Sequence, residues 1–191
     1  MKTAWQNPLV INLTTARLEL RNLKIEDISE DYVNWLNDPQ VNKFLNCAGQ
    51  VQTKDTCRDY VCSYDAAKNK ALIGMFLNEK RLHIGNITLS AVNWPNKFVT
   101  LGICVGRKEY WGKGLASEAL KSIIRCCFQN LRLHRVQALS NVNNPRSTNL
   151  FLNCGFKIEG RLRESNFVDG VFQDGFVLSL LSDEWKDDVA I

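Results

Sequence analysis

The fold of this chain is decided by Leu101-Gly102-Ile103-Cys104-Val105 and by the nearby Tyr110-Trp111-Gly112-Lys113-Gly114-Leu115-Ala116. The first stretch is apolar and the second leads into an amphipathic segment, so we predict a strand, a glycine turn and a helix. Glycines let a ligand approach the backbone, and the free N–H groups at a helix start suit an anion such as phosphate. Gly-X-Gly also occurs as ordinary turn chemistry, and at this point both interpretations stay open.

The remaining pattern predicts a mixed, mostly antiparallel sheet with helices packed on it. The unit of residues 98–140 should form a right-handed, parallel strand–helix–strand crossover. Strands are predicted at 16–22, 70–78, 81–91, 98–106, 136–140, 156–163 and 171–181, and helices at 27–36, 53–67, 114–130 and 144–153. The turns at 78–80 and at Asp169-Gly170 should each close a hairpin.

Composition indicates one globular domain over residues 1–191, with a core of about 12–185. No apolar run reaches the ~18–20 residues that a membrane span needs, and residues 1–8 lack the apolar core of a secretory signal. We therefore expect a cytoplasmic protein without a membrane partner. The net charge of +4 is scattered, which argues against nucleic acid. The seven cysteines form no CxxC pair, and neither His83 nor His134 lies at metal-ligand spacing, so no metal site is expected.

Four stretches together resemble the GNAT family of acyl-CoA N-acetyltransferases. Within it they are similar to the branch of bacterial ribosomal-protein N-terminal (Rim-type) and amino-sugar acetyltransferases. The resemblance implies an α+β GNAT fold: a sheet of about seven strands with a splayed parallel pair, flanked by about four helices. The stretches are Arg17–Arg21 with Asn34–Pro39, Ile84–Leu89, Glu109–Ala119, and Asn144–Ser147 with Gly155–Gly160.

The resemblance implies acetyl-CoA as co-substrate, without a metal. Asn144 matches an asparagine whose side chain contacts pantetheine. The arm itself should pair with the backbone of Ile103, Cys104 and Val105, while the pyrophosphate should bind the N–H groups of Trp111, Gly112, Lys113, Gly114, Leu115 and Ala116. Glu109 stands where the family usually has Gln or Arg, and we expect its carboxylate to point to solvent.

The catalytic groups are less well defined by the resemblance. Phe151 occupies the position of the tyrosine that many members use as the acid for the leaving thiolate, and it cannot donate. Ser147, three residues after Asn144, is the alternative acid, unless it only caps or packs in its helix. The base position matches Asn166, so we consider nearby Glu164, His83 in a strand, or a water relay. A backbone N–H of the splayed strand should stabilise the oxyanion.

The acceptor site is expected around the first helix and the loop after it. Trp35, Asp38 and Asn86 are the candidate substrate-binding residues, although Trp35 also fits a core position and Asp38 a turn before Pro39. We predict direct acetyl transfer to a primary amine, rather than a route through Cys104. The first choice of acceptor is a protein N-terminal α-amine. The alternatives are a small amine (nucleotide-linked amino sugar, aminoglycoside or polyamine) or a non-catalytic acyl-CoA-binding domain, as monomer or homodimer.

Overall fold

The computed structural model describes residues 8–65 and 67–186, and its centre is one mixed sheet of eight strands. The strands are β1 (Asn12–Thr14), β2 (Leu18–Asn22), β3 (Ala71–Leu77), β4 (His83–Asn93), β5 (Phe98–Val105), β6 (Arg135–Asn141), β7 (Lys157–Val168) and β8 (Val171–Leu181), in the spatial order β1-β2-β3-β4-β5-β6-β8-β7. Among the strands that the structure describes, only β5 and β6 are parallel neighbours. The predicted α+β GNAT fold is confirmed, with eight strands in place of about seven. The added strand, β1, has three residues, which is too short for a periodic signal.

Within the described residues five α-helices pack on this sheet, where about four were predicted. They are α1 (Glu30–Asn37), α2 (Pro39–Asn42), α3 (Lys54–Asp65), α4 (Leu115–Arg125) and α5 (Pro145–Asn153). The helix predicted at 27–36 begins later, because the Ser29 hydroxyl accepts a hydrogen bond from the N–H of Tyr32 and so caps α1. The extra helix, α2, is one turn long and is capped by Asp38, whose Oδ1 accepts from the N–H of Gln40 at 2.8 Å.

The two faces of the sheet carry separate apolar clusters. The larger cluster lies under α4 and α5, where the i, i+3, i+4 spacing of Leu120, Ile123 and Ile124 places one stripe of α4 against the sheet. The smaller cluster lies under α1 and α3 and contains Tyr32 and Trp35. The predicted long helix of 114–130 ends as α4 at Arg125, and a π-helical turn covers the rest.

The parallel pair separates after four residues. Phe98–Leu101 of β5 pairs with Arg135–Ala138 of β6, after which β5 continues to Val105 and β6 to Asn141 without pairing to each other. Further on, β7 runs to Val168, beyond the predicted end at 163. A register shift between Leu162 and Asn166 interrupts its pairing with β8, and this bulge hid the second half of the strand from a period-two pattern.

Candidate active site

The opening between β5 and β6 is lined by backbone groups that lack a neighbouring strand. The carbonyl of Lys97 accepts from the N–H of Arg135, and the N–H of Gly106 donates to Ile84 on the other side. Because these groups alternate along a strand, Ile103 and Val105 direct theirs into the opening. The backbone of Cys104 faces β4 instead, which differs from the expectation that all three residues pair with pantetheine.

The side chain of Cys104 points to the face that carries α1. It packs against the cluster around Tyr32 and Trp35, and burial raises the pKa of its thiol to about 12. A thiol in that state is protonated at neutral pH and is a poor nucleophile. The geometry therefore agrees with direct transfer and not with an acyl-cysteine route.

Trp111 joins the two sides of the opening. Its indole Nε1 donates to the carbonyl of Val105 at 2.7 Å, and the guanidinium of Arg146 lies 5.2 Å from its ring centroid. Its backbone N–H donates to the carbonyl of Lys108 at 3.0 Å. That N–H is therefore engaged, contrary to the expectation that it binds the pyrophosphate, and the side chain instead links the end of β5 to the first turn of α5.

The turn before α4 has the geometry of an anion site. Gly112 and Gly114 have φ values of +73° and +76°, in the left-handed region that favours glycine. A Cβ built on Gly112 would meet no heavy atom within 4 Å. The N–H groups of Leu115 and Ala116 lie in the first turn of α4, where no intrahelical carbonyl can reach them, and the dipole of α4 adds partial positive charge there. Glu109 is exposed and lies 3.4 Å from Arg107, as expected of a carboxylate that points away from an anion.

Glu118 fixes this turn to the first hairpin. Its Oε1 accepts from the Thr15 hydroxyl at 2.6 Å and from the N–H of Arg17 at 2.9 Å, and its Oε2 accepts from Arg17 Nε at 2.6 Å. Arg17 also donates to the carbonyl of Lys113 at 2.9 Å. Burial acts to raise the pKa of Glu118, but these hydrogen bonds leave it below its usual range. Sequence reasoning missed this contact, since its partners are a hundred residues apart in the chain.

The first turn of α5 presents the predicted donor-side residues together. Asn144 is the N-cap, and its Oδ1 accepts from the N–H of Ser147 at 3.2 Å. Asn144 thus supplies the cap, which leaves the Ser147 hydroxyl out of that role. The hydroxyl of the next residue, Thr148, is engaged with Ser140 at 3.0 Å. Phe151 lies fully in the core beside Phe156.

The two candidate bases are placed far apart. His83 is 9% exposed and is enclosed by the rings of Tyr32, Trp35 and Phe76. Its Nε2 lies 3.0 Å from the carbonyl of Gly85 and 2.8 Å from Oδ1 of Asn86, and burial lowers its pKa. The imidazole is thus enclosed on three sides by aromatic rings, and the base role of His83 stays a prediction. Glu164 lies in the bulge of β7, the second strand out from β6.

The predicted acceptor residues are mostly structural. Trp35 is 6% exposed and packs on Gly106, where a Cβ would lie 1.5 Å from the indole. Asn86 is buried and accepts from His83. The structure therefore places Trp35 and Asn86 in the core, and their substrate-binding role stays a prediction. Asp38 caps α2 and pairs with Lys108 Nζ at 2.6 Å, and these contacts lower its pKa.

A groove beside the opening was not predicted. Ser140 faces α5 through Thr148, so Leu139 points to the opposite face of β6, where it is 58% exposed. We call this face, with the floor Leu139, Asn141 and Gly175, the side groove. Helix α1 packs on the same face of the sheet, and Ser165 and Asn166 of the β7 bulge lie over Gly175. The ion pair of Lys43 with Asp169 (2.8 Å) connects the end of α2 to the turn between β7 and β8. Within residues 8–65 and 67–186, no helix has both the length and the apolar character to span a membrane.

Comparison with known proteins identifies the family. The family model described as "Acetyltransferase (GNAT) domain" matches residues 17–157. The uncharacterized N-acetyltransferase p20 of Bacillus licheniformis is 30% identical over 178 residues, which cover 91% of this chain and 97% of that protein. The ribosomal-protein-serine acetyltransferase of Escherichia coli is 26% identical over 161 residues, which cover 80% and 89%.

Solved structures agree in fold. The GNAT acetyltransferase of Bacillus anthracis superposes with a TM-score of 0.79 at 21% identity, covering 91% of this chain and 99% of that one. Spermidine N-acetyltransferase of Vibrio cholerae, in complex with CoA and spermine, superposes with a TM-score of 0.80 at 22% identity, covering 89% and 98%. By sequence match, by fold and by the glycine turn beside a splayed strand pair, this chain belongs to the GNAT acetyltransferase family and is an acetyl-CoA-dependent N-acetyltransferase.

Proposed function

We propose that the protein transfers the acetyl group of acetyl-CoA to the α-amine of a protein N-terminus. The side groove is the observation that carries this proposal. Its floor is formed by the exposed Leu139, by the amide side chain of Asn141 and by Gly175, so it is uncharged. An extended peptide needs an open, largely neutral surface of this kind, whereas a small amine is usually held in a concave, largely enclosed pocket.

The geometry of the opening supports a proposal for how acetyl-CoA is held. The N–H groups of residues 112–116 bind the pyrophosphate, and the backbone of Ile103 and Val105 pairs with the pantetheine arm. Asn144 Oδ1 is engaged in its cap, so its Nδ2 is the group that donates to a pantetheine carbonyl. A backbone N–H of the splayed strand stabilises the oxyanion, and the Ser147 hydroxyl donates a hydrogen bond to the departing thiolate.

Charge pairing along the groove argues against a polyamine acceptor. A polyamine carries several positive charges and is bound best by carboxylates without cationic partners. Here Asp31 pairs with Arg107, Asp38 pairs with Lys108 and Asp169 pairs with Lys43. These three carboxylates therefore offer a polycation little net attraction. The similarity to the ribosomal-protein-serine acetyltransferase extends over most of the chain and supports a protein acceptor.

The test is an acceptor screen that follows thiol release from acetyl-CoA. The acceptors are peptides that begin with Ser, Ala or Met, and the same peptides with a blocked α-amine and a free Lys side chain. Spermidine, an aminoglycoside and a nucleotide-linked amino sugar complete the set. We expect turnover of the free N-terminal peptides and none of the blocked ones. Turnover of a small amine with all peptides inert would overturn the proposal.

A further inference from the structure

Arg17 directly precedes β2 and places its guanidinium against the glycine turn of α4. Its Nε donates to Oε2 of Glu118 at 2.6 Å, and its Nη1 donates to the carbonyl of Lys113 at 2.9 Å. Nη2, the third nitrogen, donates no hydrogen bond to any of the described residues. A guanidinium has five N–H donors, so both donors of Nη2 are available to a ligand.

This nitrogen lies beside the open side of Gly114. Gly114 is the N-cap of α4 and has φ at +76°. Nη2 lies 3.5 Å from the place where a Cβ on Gly114 would be, and beyond the chain neighbours no other described residue comes within 4 Å of that place. Because no side chain holds a ligand off, an anion that rests on the start of α4 comes next to Nη2.

The Arg17 side chain is accessible to a ligand and is also held in place. It is 49% exposed, so a molecule in solvent can reach Nη2. Its backbone N–H and its Nε both donate to Glu118, and its Nη1 is fixed by Lys113. A long exposed side chain usually loses rotamer freedom when it binds a ligand, and much of that freedom is already absent here.

Glu118 explains why a cation is needed at this place. It lies in the first turn of α4, and hydrogen bonds from Thr15 and Arg17 lower its pKa, so its carboxylate is charged at neutral pH. A carboxylate and a phosphate are attracted to the same helix N-terminus, and they repel each other there. Arg17 neutralises Glu118, and its Nη2 adds directed donors on the side of the turn that Gly114 leaves open.

We propose that Arg17 binds a phosphate group of CoA through Nη2, and that Glu118 positions Arg17 for this contact. CoA carries a pyrophosphate and a 3′-phosphate, which offer the same kind of anionic oxygen. Hydrogen bonds from an arginine to a phosphate are charge-assisted and therefore strong. This role rests on the proposed pyrophosphate site of residues 112–116. It extends that site to the first hairpin, since Arg17 and Lys113 are 96 residues apart in the chain.

The test measures the Kd of three ligands by calorimetric titration. They are CoA, dephospho-CoA, which lacks the 3′-phosphate, and pantetheine, which has no phosphate group. Arg17→Met removes the guanidinium. Lys68→Met is the matched control, because it removes one positive charge from an exposed residue that precedes β3, whose far end pairs with Leu18. Glu118→Gln keeps an oxygen for the Thr15 hydroxyl and the N–H of Arg17, and it removes the partner of Nε.

We expect Arg17→Met to raise the Kd of CoA by about tenfold to a hundredfold, as for loss of a hydrogen bond to a charged group. The Kd of pantetheine should stay within about twofold, which also shows that the variant is folded. Equal weakening of dephospho-CoA assigns Nη2 to the pyrophosphate, whereas an unchanged Kd of dephospho-CoA assigns it to the 3′-phosphate. Lys68→Met should match the parent on all three ligands.

Two further measurements separate phosphate binding from support of the turn. Arg17 stays cationic when Glu118 is replaced, so Glu118→Gln should keep the Kd of CoA within about threefold of the parent. Adding Arg17→Met to Glu118→Gln leaves no unpaired carboxylate, and it should again raise this Kd by about tenfold or more. Salt screens charge interactions, so the Kd of CoA should rise less steeply with salt in Arg17→Met than in the parent or in Gly112→Ala, which keeps Arg17.

Two results overturn the inference. If Arg17→Met changes the Kd of CoA by less than about twofold, Nη2 binds no phosphate group. If Arg17→Met and Glu118→Gln weaken CoA equally and the salt dependence stays that of the parent, Arg17 only supports the turn. Failure of the underlying pyrophosphate site is distinguishable, because Gly112→Ala would then leave CoA binding unchanged whatever Arg17→Met does.

Discussion

Replacement of Gly112 by alanine tests the pyrophosphate turn most directly. With φ at +73°, an alanine at this position costs about 1–2 kcal/mol of backbone strain. Its methyl would clash with no protein atom, because nothing lies within 4 Å of the built Cβ. The strain should instead shift the neighbouring N–H groups of the turn away from the pyrophosphate. Loss of one hydrogen bond to a charged group costs about 1.5–3 kcal/mol, so we expect the Kd for CoA to rise by about tenfold to a hundredfold.

Gly49→Ala is a matched control for this change. Gly49 has φ at +75°, and its built Cβ also meets nothing within 4 Å, but it lies in the loop between α2 and α3. Both variants should therefore lose a similar free energy of unfolding, about 1–2 kcal/mol in urea denaturation. Only Gly112→Ala should weaken CoA binding.

Calorimetric titration with CoA measures the difference in Kd between the two variants. Competition by pantetheine, which lacks the pyrophosphate, shows whether the pyrophosphate accounts for that difference. The apparent affinity for pantetheine should be the same in both variants. If Gly112→Ala binds CoA as tightly as Gly49→Ala does, the turn does not hold the pyrophosphate and the assignment of residues 112–116 is refuted.

Three further changes test the rest of the site. Ser147→Ala should lower kcat by about tenfold to a hundredfold at constant acetyl-CoA KM, and a change under about twofold would contradict its role toward the thiolate. Trp111→Phe keeps a ring beside Arg146 and removes the indole donor to Val105, so the free energy of unfolding measured in urea should fall by about 0.5–1.5 kcal/mol. Equal stability of variant and parent would show that this hydrogen bond contributes nothing. Glu118→Gln should be less stable than the parent at neutral pH. The folded-state pKa of Glu118 is lowered, so its contribution to the free energy of unfolding is complete above the ordinary pKa of about 4.3 and is lost as pH falls through the lowered value. The stabilities of Glu118→Gln and of the parent should therefore converge in acid. A stability difference that does not change with pH would refute this role of Glu118.

The shape of the glycine turn and the start of α5 could be predicted because their signals are local. Gly112 and Gly114 mark a turn that only residues tolerant of positive φ adopt easily, and Asn144 before Pro145 marks a helix start. The separation of β5 from β6 followed from the family resemblance. Each of these features depends on a few neighbouring residues, so a single sequence carries it.

The features that sequence reasoning missed depend on distant contacts. Glu118 contacts Arg17, which is 101 residues away in the sequence. The pattern of α4 alone shows only that Glu118 is a charged residue in the first turn of that helix. His83 and Trp35 have types found in both cores and active sites, and only the packing of α1 on β4 shows that they are enclosed. The β7 bulge interrupts the alternation that would have extended the strand.

The enclosure of His83 bears on which amine the enzyme accepts. The His83 imidazole is enclosed and Glu164 lies on β7, so neither of these two candidate bases lines the opening between β5 and β6. An acceptor must then arrive neutral or lose its proton to water. An N-terminal α-amine, with a pKa of about 7.7–8.0, is roughly a tenth to a third neutral near pH 7–7.5, whereas an amine with a lysine-like pKa of about 10.4 is neutral at only about one part in a thousand. That difference of at least a hundredfold in the concentration of reactive acceptor favours an α-amine, independently of the charge pairing of Asp31, Asp38 and Asp169.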